Sequence, residues 1–182
     1  FDLGLPDSVT VLGASGTKLA ISRDGTKIVI AGQRGARAAL YLRRMDEPVA
    51  QLVRGTEVER AARGTSPGFD PDGEWLFFRT ADGLKKVPIG GGIPQTVADS
   101  GHTGSWGDLG KFVHIRGRAL WLGTPEGRDA RVLARPDSAR RIFGLSWPHV
   151  LPGGEYALIT MDRSPNQSLI VDSLRLGVIS LS

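Results

Sequence analysis

Phe69-Asp70-Pro71-Asp72-Gly73-Glu74-Trp75-Leu76-Phe77-Phe78 reads as a tight turn and the strand that leaves it. Pro71 presets φ for the first central position of a type I turn, and Asp72 suits the second. Gly73 can take the left-handed conformation that closes a three-residue hairpin loop. The Asp70 carboxylate is placed to accept a backbone N–H two residues on. The run Trp75 to Phe78 is short, aromatic and bounded by turn residues, which favours a buried strand over a helix.

Three other stretches align with this one when the turn glycine is the anchor: 21–30, 106–115 and 150–159. The glycines are Gly25, Gly73, Gly110 and Gly154, at spacings of 48, 37 and 44, and with Asp70, Pro71 and Asp72 they form the expected turn set. Each unit continues with a second apolar segment: Leu40-Tyr41-Leu42, Leu84-Lys85-Lys86-Val87, Leu120-Trp121-Leu122 and Leu169-Ile170-Val171. A polar or glycine-rich turn and one more strand follow each, at 50–53, 95–98, 131–134 and 178–181. Four short strands, A to D, in about 40 residues make a propeller blade. The expectation is therefore an all-β protein, a β-propeller of four-stranded antiparallel blades forming one domain over 1–182. A leading strand segment occupies 1–18 and the blades lie near 19–54, 66–99, 103–135 and 145–182. Helix-like spacing occurs only at 56–63, read as a turn of helix between blades.

Composition agrees. Twenty-five glycines and eleven prolines point to many turns, and no run of about 18 apolar residues is long enough for a membrane-spanning helix. The net charge of +4 is carried mostly by arginine without a run of like charges, which does not call for specific nucleic acid. Without cysteine there is neither a disulfide framework nor a thiolate zinc site.

At the repeats, over nearly the whole chain, the sequence resembles the TolB-like propellers, whose blades carry a proline-aspartate-glycine turn between their first two strands. It looks most like the extracytoplasmic C-terminal propeller of bacterial serine/threonine protein kinases. The residues that carry this are 19–25, 40–44, 66–88, Ser105-Trp106-Gly107-Asp108 and 147–154. The resemblance implies an extracytoplasmic location, periplasmic or at the cell surface. TolB-like propellers usually have six blades, so the chain is read as a fragment, as a ring completed by other copies, or as a closed four-bladed ring. Phe1 to Leu3 are a candidate outer strand for the final blade.

No catalytic set and no cofactor is expected. Gly64-Thr65-Ser66-Pro67-Gly68 fits the nucleophile-elbow pattern, but a charged loop precedes it and a strand follows, where the elbow needs a strand before and a helix after. Asp24, Asp70, Asp72 and Asp108 belong to separate hairpin turns. Trp75, Phe77, Phe78, Phe112 and Tyr156 are read as inter-blade core, Trp106 and Trp147 as packed, and His114 as a packed strand residue. No histidine has carboxylates at metal-ligand spacing, so no metal is expected.

The functional signal is distributed. Loops B–C and D–A share one face of a propeller, and there they are rich in arginine. The candidate ligand-binding residues are Arg54, Arg79, His102, Arg116, Arg140, Arg141 and His149. The leading reading is a noncatalytic binding or sensor propeller for a protein, peptide or cell-envelope ligand, drawn by charge to anionic partners. The alternatives are a structural subunit that self-associates through blade edges, and an accessory propeller of an enzyme such as a peptidase.

Overall fold

The computed structural model describes residues 4–13, 16–59, 65–165 and 173–182. The fold is all-β, four small antiparallel sheets with the blade arrangement of a β-propeller. The chain divides into two compact units, Phe1–Asp99 and Ser100–Ser182.

The first unit holds two sheets. In the first, β1 (Thr10–Val11) and β2 (Leu19–Ile21) both pair with β3 (Lys27–Arg34), which pairs with β4 (Arg37–Arg44). The outer strand comes in two pieces, β5 (Gln51–Leu52) and β6 (Val58–Glu59), both on β4, so pairing in this sheet runs on to Glu59. The helix expected at 56–63 is thus corrected at its start: Val58 and Glu59 are strand, and 60–63 lie outside the described residues. In the second sheet β7 (Gly68–Phe69), β8 (Trp75–Thr80), β9 (Gly83–Pro88) and β10 (Gln95–Ala98) follow one another as a meander. Alternating residues from both sheets form one core, in which Val29, Leu40, Leu76, Phe78 and Val87 are fully buried.

The interruption between β5 and β6 has a chemical cause. Thr56 is fully buried, and its Oγ1 accepts the Leu40 N–H at 2.9 Å while its hydroxyl donates to the Val53 carbonyl at 2.7 Å. A side chain therefore replaces the strand backbone as partner of β4, and the chain bulges outward at Arg54 and Gly55. The Gly90-Gly91-Gly92 turn between β9 and β10 packs on this bulge, its Gly92 N–H donating to the Arg54 carbonyl at 3.0 Å.

The second unit begins with β11 (Gly104–Trp106), β12 (Phe112–Arg116), β13 (Ala119–Gly123) and β14 (Arg131–Ala134), again a meander. The fourth sheet is β15 (Gly144–Val150), β16 (Tyr156–Asp162) and β17 (Leu174–Ser180). Sequence reading put a third strand at 169–171 and the fourth at 178–181. The first lies outside the described residues, and 178–180 belong to β17, which takes the third place by pairing with β16 along its full length. The core joins Val113, Ile115, Leu120 and Leu122 to Val150, Ala157, Ile159 and Leu181.

The four A–B turns share their role but not their geometry. In the first two, the Gly25 and Gly73 N–H groups donate to the Ser22 and Asp70 carbonyls, with φ near +71° at each glycine, as expected. The buried Asp70 carboxylate accepts from Glu74 and Trp75, four and five residues on rather than two, and Ser22 Oγ does the equivalent for Lys27. In the fourth turn Gly153 has φ +90° at the second central position, the mark of type II. In the third, Leu109 and Gly110 both have positive φ, a type I′ pattern. Leu109 is 75% exposed at φ +60°, so its side chain gains no packing for the strain. Leu109→Asn is therefore expected to raise stability by about 0.5–1 kcal/mol. An unchanged or lower urea midpoint would show that this backbone position is not left-handed.

Several aromatic expectations are settled by packing. Phe77, Phe78 and Phe112 are buried, and Trp106 meets Phe112 edge to face at 6.3 Å. Tyr156 and Trp147 are corrected: they are 49% and 43% exposed. Tyr156 has an outward register position, and Trp147 lies in a bulge of β15 at φ +46°. The elbow-like stretch leads into β7, so a strand follows Ser66 where the elbow needs a helix.

Candidate functional site: an arginine-lined cavity beside Trp121

One concave site among the described residues grows out of the third sheet. Along β12 and β13, Val113, Ile115, Leu120 and Leu122 face the core of the second unit, so alternation sends His114, Arg116 and Trp121 to the opposite face. His114 and Trp121 are direct cross-strand partners, and Arg116 is diagonal to Trp121. Its guanidinium lies over the indole ring, 5.2 Å from the centroid.

Two loops complete the site. The tight β12–β13 turn presents Arg118, whose Nη2 donates to the Phe143 carbonyl at 3.2 Å. After β14 the chain passes Arg135 and Pro136 into a single 3-10 turn, Ser138–Arg140, capped by the Asp137 carboxylate on the Ala139 and Arg140 N–H groups. The Ile142 N–H returns to the Asp137 carbonyl at 2.8 Å and closes the loop. Together Arg116, Arg118, Trp121, Arg135, Ile142 and Phe143 line most of an open cavity of about 450 Å³.

Its electrostatics are one-sided. Among the described residues Arg116, Arg118 and Arg135 take part in no ion pair. Arg140 at the rim is engaged by Asp137 at 3.5 Å, and Arg141 caps the short turn in a left-handed conformation. The Trp121 Nε1–H is buried and has no hydrogen-bond partner. His114, on the same face, is held neutral, because burial and then the nearby Arg116 charge push its pKa down to about 4.

The other candidates fall elsewhere. Arg54 is exposed on the β5–β6 bulge of the first unit rather than in a D–A loop. Arg79 is a half-buried residue of β8 whose N–H donates to the Thr65 carbonyl at 2.6 Å. His102 is half-buried just before β11, its N–H on the Ile115 carbonyl at 3.0 Å. His149 is exposed in β15. The structure thus gathers Arg116 with the Arg140–Arg141 loop, and leaves Arg54, Arg79, His102 and His149 outside this cavity. Trp121 is the residue that sequence reading missed. It lies between two core leucines, and strict alternation alone sets it on the other face.

Among the described residues no three His, Asp or Glu side chains converge as a metal cluster. The turn aspartates are occupied structurally: Asp24 is held well below the usual carboxylate range by the Ser22 hydroxyl and the Thr26 N–H and hydroxyl. Asp108 Oδ2 accepts the Gly153 N–H at 2.8 Å, tying the third turn to the fourth.

Comparison with solved structures gives a β-propeller fold, with TolB structures among those it resembles. TolB from Acinetobacter baumannii matches with TM-score 0.66 and 16% identity, over 91% of this chain and 43% of that one. An oligogalacturonate lyase in complex with manganese matches with TM-score 0.62 and 16% identity, over 97% and 55%. A calcium-binding protein, regucalcin, from Agrobacterium tumefaciens matches with TM-score 0.60 and 16% identity, over 90% and 61%. The chain thus spans about half the length of these structures, and at such identities the likeness is one of fold. No protein-family model matches, and no curated protein matches. Among the described residues no helix is long and apolar enough to cross a membrane, which says nothing of β-barrels.

Proposed function

We propose that the chain is a noncatalytic binding or sensor propeller, one domain over 1–182 in an extracytoplasmic setting. It takes a protein, peptide or cell-envelope ligand at the end of the blades where the B–C and D–A loops lie. The observation that carries this is a set of three arginines that, among the described residues, take part in no ion pair and surround one partly apolar cavity. Cations left uncompensated around a concave surface raise the local concentration of anionic partners and speed their encounter. The likeness to TolB and the resemblance to kinase-linked propellers support the extracytoplasmic sensor role.

Titration with poly-L-glutamate and with uncharged polyvinylpyrrolidone tests the reading. Poly-glutamate is expected to bind with an affinity that falls as salt rises, and Arg140→Glu with Arg141→Glu to weaken it about tenfold. Equal behaviour of the two polymers, or indifference to the charge reversal, rules the anionic surface out.

A second reading has its own observation. Among the described residues β17 pairs on one side only, and it exposes Leu176 (70%) and Val178 (62%). An apolar strand edge of this kind is a template for another chain, so the subunit associates through it. Sedimentation at high concentration decides: a strictly monomeric species, or an oligomer unaffected by lysine at both positions, removes this reading.

A further inference from the structure

We infer that the cavity beside Trp121 takes a peptide carboxylate carried next to an apolar side chain, with Arg116 and Arg135 holding the anion. This rests on the reading of the loop end as a binding surface and adds the ligand's chemistry. The side chains lining the cavity include three guanidinium groups, and the Ser138 hydroxyl is the one side-chain acceptor in the lining. A site of donors suits a group that offers acceptors alone. A carboxylate does, whereas each sugar hydroxyl also brings an O–H donor, for which the lining offers one side-chain acceptor.

Arg116 lies over the Trp121 ring, 5.2 Å from its centroid, which holds the guanidinium at the cavity wall. Arg118 is already directed at the Phe143 carbonyl and contributes charge rather than a free fork. Ile142, Phe143 and Pro136 supply apolar wall, which matches a neighbouring hydrophobic side chain better than a hydrated phosphate.

The test is calorimetry with N-acetyl-Glu-Phe-amide and its Gln counterpart, with trigalacturonate and inorganic phosphate as further arms. The Glu peptide is expected to bind at least tenfold more tightly than each of the other three. Arg116→Gln or Arg135→Gln should weaken it about tenfold. Equal affinity for the Gln peptide, no effect of Arg116→Gln and Arg135→Gln, or trigalacturonate or phosphate binding as well as the Glu peptide overturns the inference. So does failure of the Glu peptide to bind. If poly-glutamate binding and its sensitivity to Arg140 and Arg141 persist while the peptide pair is not discriminated, this inference falls alone. If poly-glutamate does not bind either, both fall.

Discussion

Gly55→Ala is expected to destabilise the first unit by about 3 kcal/mol, and to strip protection from one amide in particular. Gly55 has φ +89°, and a Cβ built on it collides with the Gly92 carbonyl and meets the Pro94 ring. Two costs therefore add: about 1 kcal/mol for a side chain in the left-handed region, and the larger one of pushing two backbone segments apart. Gly25→Ala is the internal control. It has a similar φ, +71°, but its Cβ meets nothing within 4 Å, so only the conformational cost of about 1 kcal/mol applies. The readout is hydrogen exchange at the Gly92 N–H, whose acceptor is the Arg54 carbonyl at 3.0 Å. It should lose protection in Gly55→Ala and keep it in Gly25→Ala. Equal losses in the two variants would mean that the glycine turn does not rest on the bulge.

The second large effect is a pH dependence. Unfolded His114 protonates below pH 6.5, its ordinary value, whereas in the fold it stays neutral to about pH 4. Across that window the unfolded chain binds the extra proton, so stability falls as the pH falls and the slope ends near pH 4. About 3 kcal/mol is present above pH 6.5 and lost by pH 4. His114 is 3% exposed and its Nδ1 has no hydrogen-bond partner, so His114→Leu removes the titration without breaking a bond at that atom. The variant should lose less stability than the parent between pH 6.5 and 4, with the curves parallel below. Parallel curves throughout the range would show that His114 is solvated in the fold.

How much of this was legible in the sequence follows from the range of the interactions. The hairpins were legible because their information is local: a turn glycine, an apolar strand after it, a second strand within hydrogen-bonding reach. Strand ends and bulges were not. Thr56 looked like part of a helical pattern because its partner, the Leu40 N–H, lies sixteen residues back, and nothing near Thr56 announces that its hydroxyl fills a gap in a ladder. The bulge at Trp147 is hidden in the same way, since a bulky residue before Pro148 gives no local reason for a positive φ. For the site, the arginine excess of the loops was visible but its distribution was not. Arg116, Arg118 and Arg135 meet because β12, β13 and β14 are neighbours in one sheet. Arg54 dropped out when its segment proved to be an outer-strand bulge.

The buried threonine has a further consequence, for assembly during folding. A chain of four similar hairpins risks docking a strand onto the wrong neighbour, where hydrophobic alternation alone still looks acceptable. The outer strand of the first sheet carries a marker within its own sequence. Its two halves fit β4 together where the hydroxyl of Thr56 meets the amide of Leu40, so a slip of this bulged strand by two residues carries the hydroxyl away from that amide. The irregularity thus acts as an address, telling one strand among near-copies where it belongs.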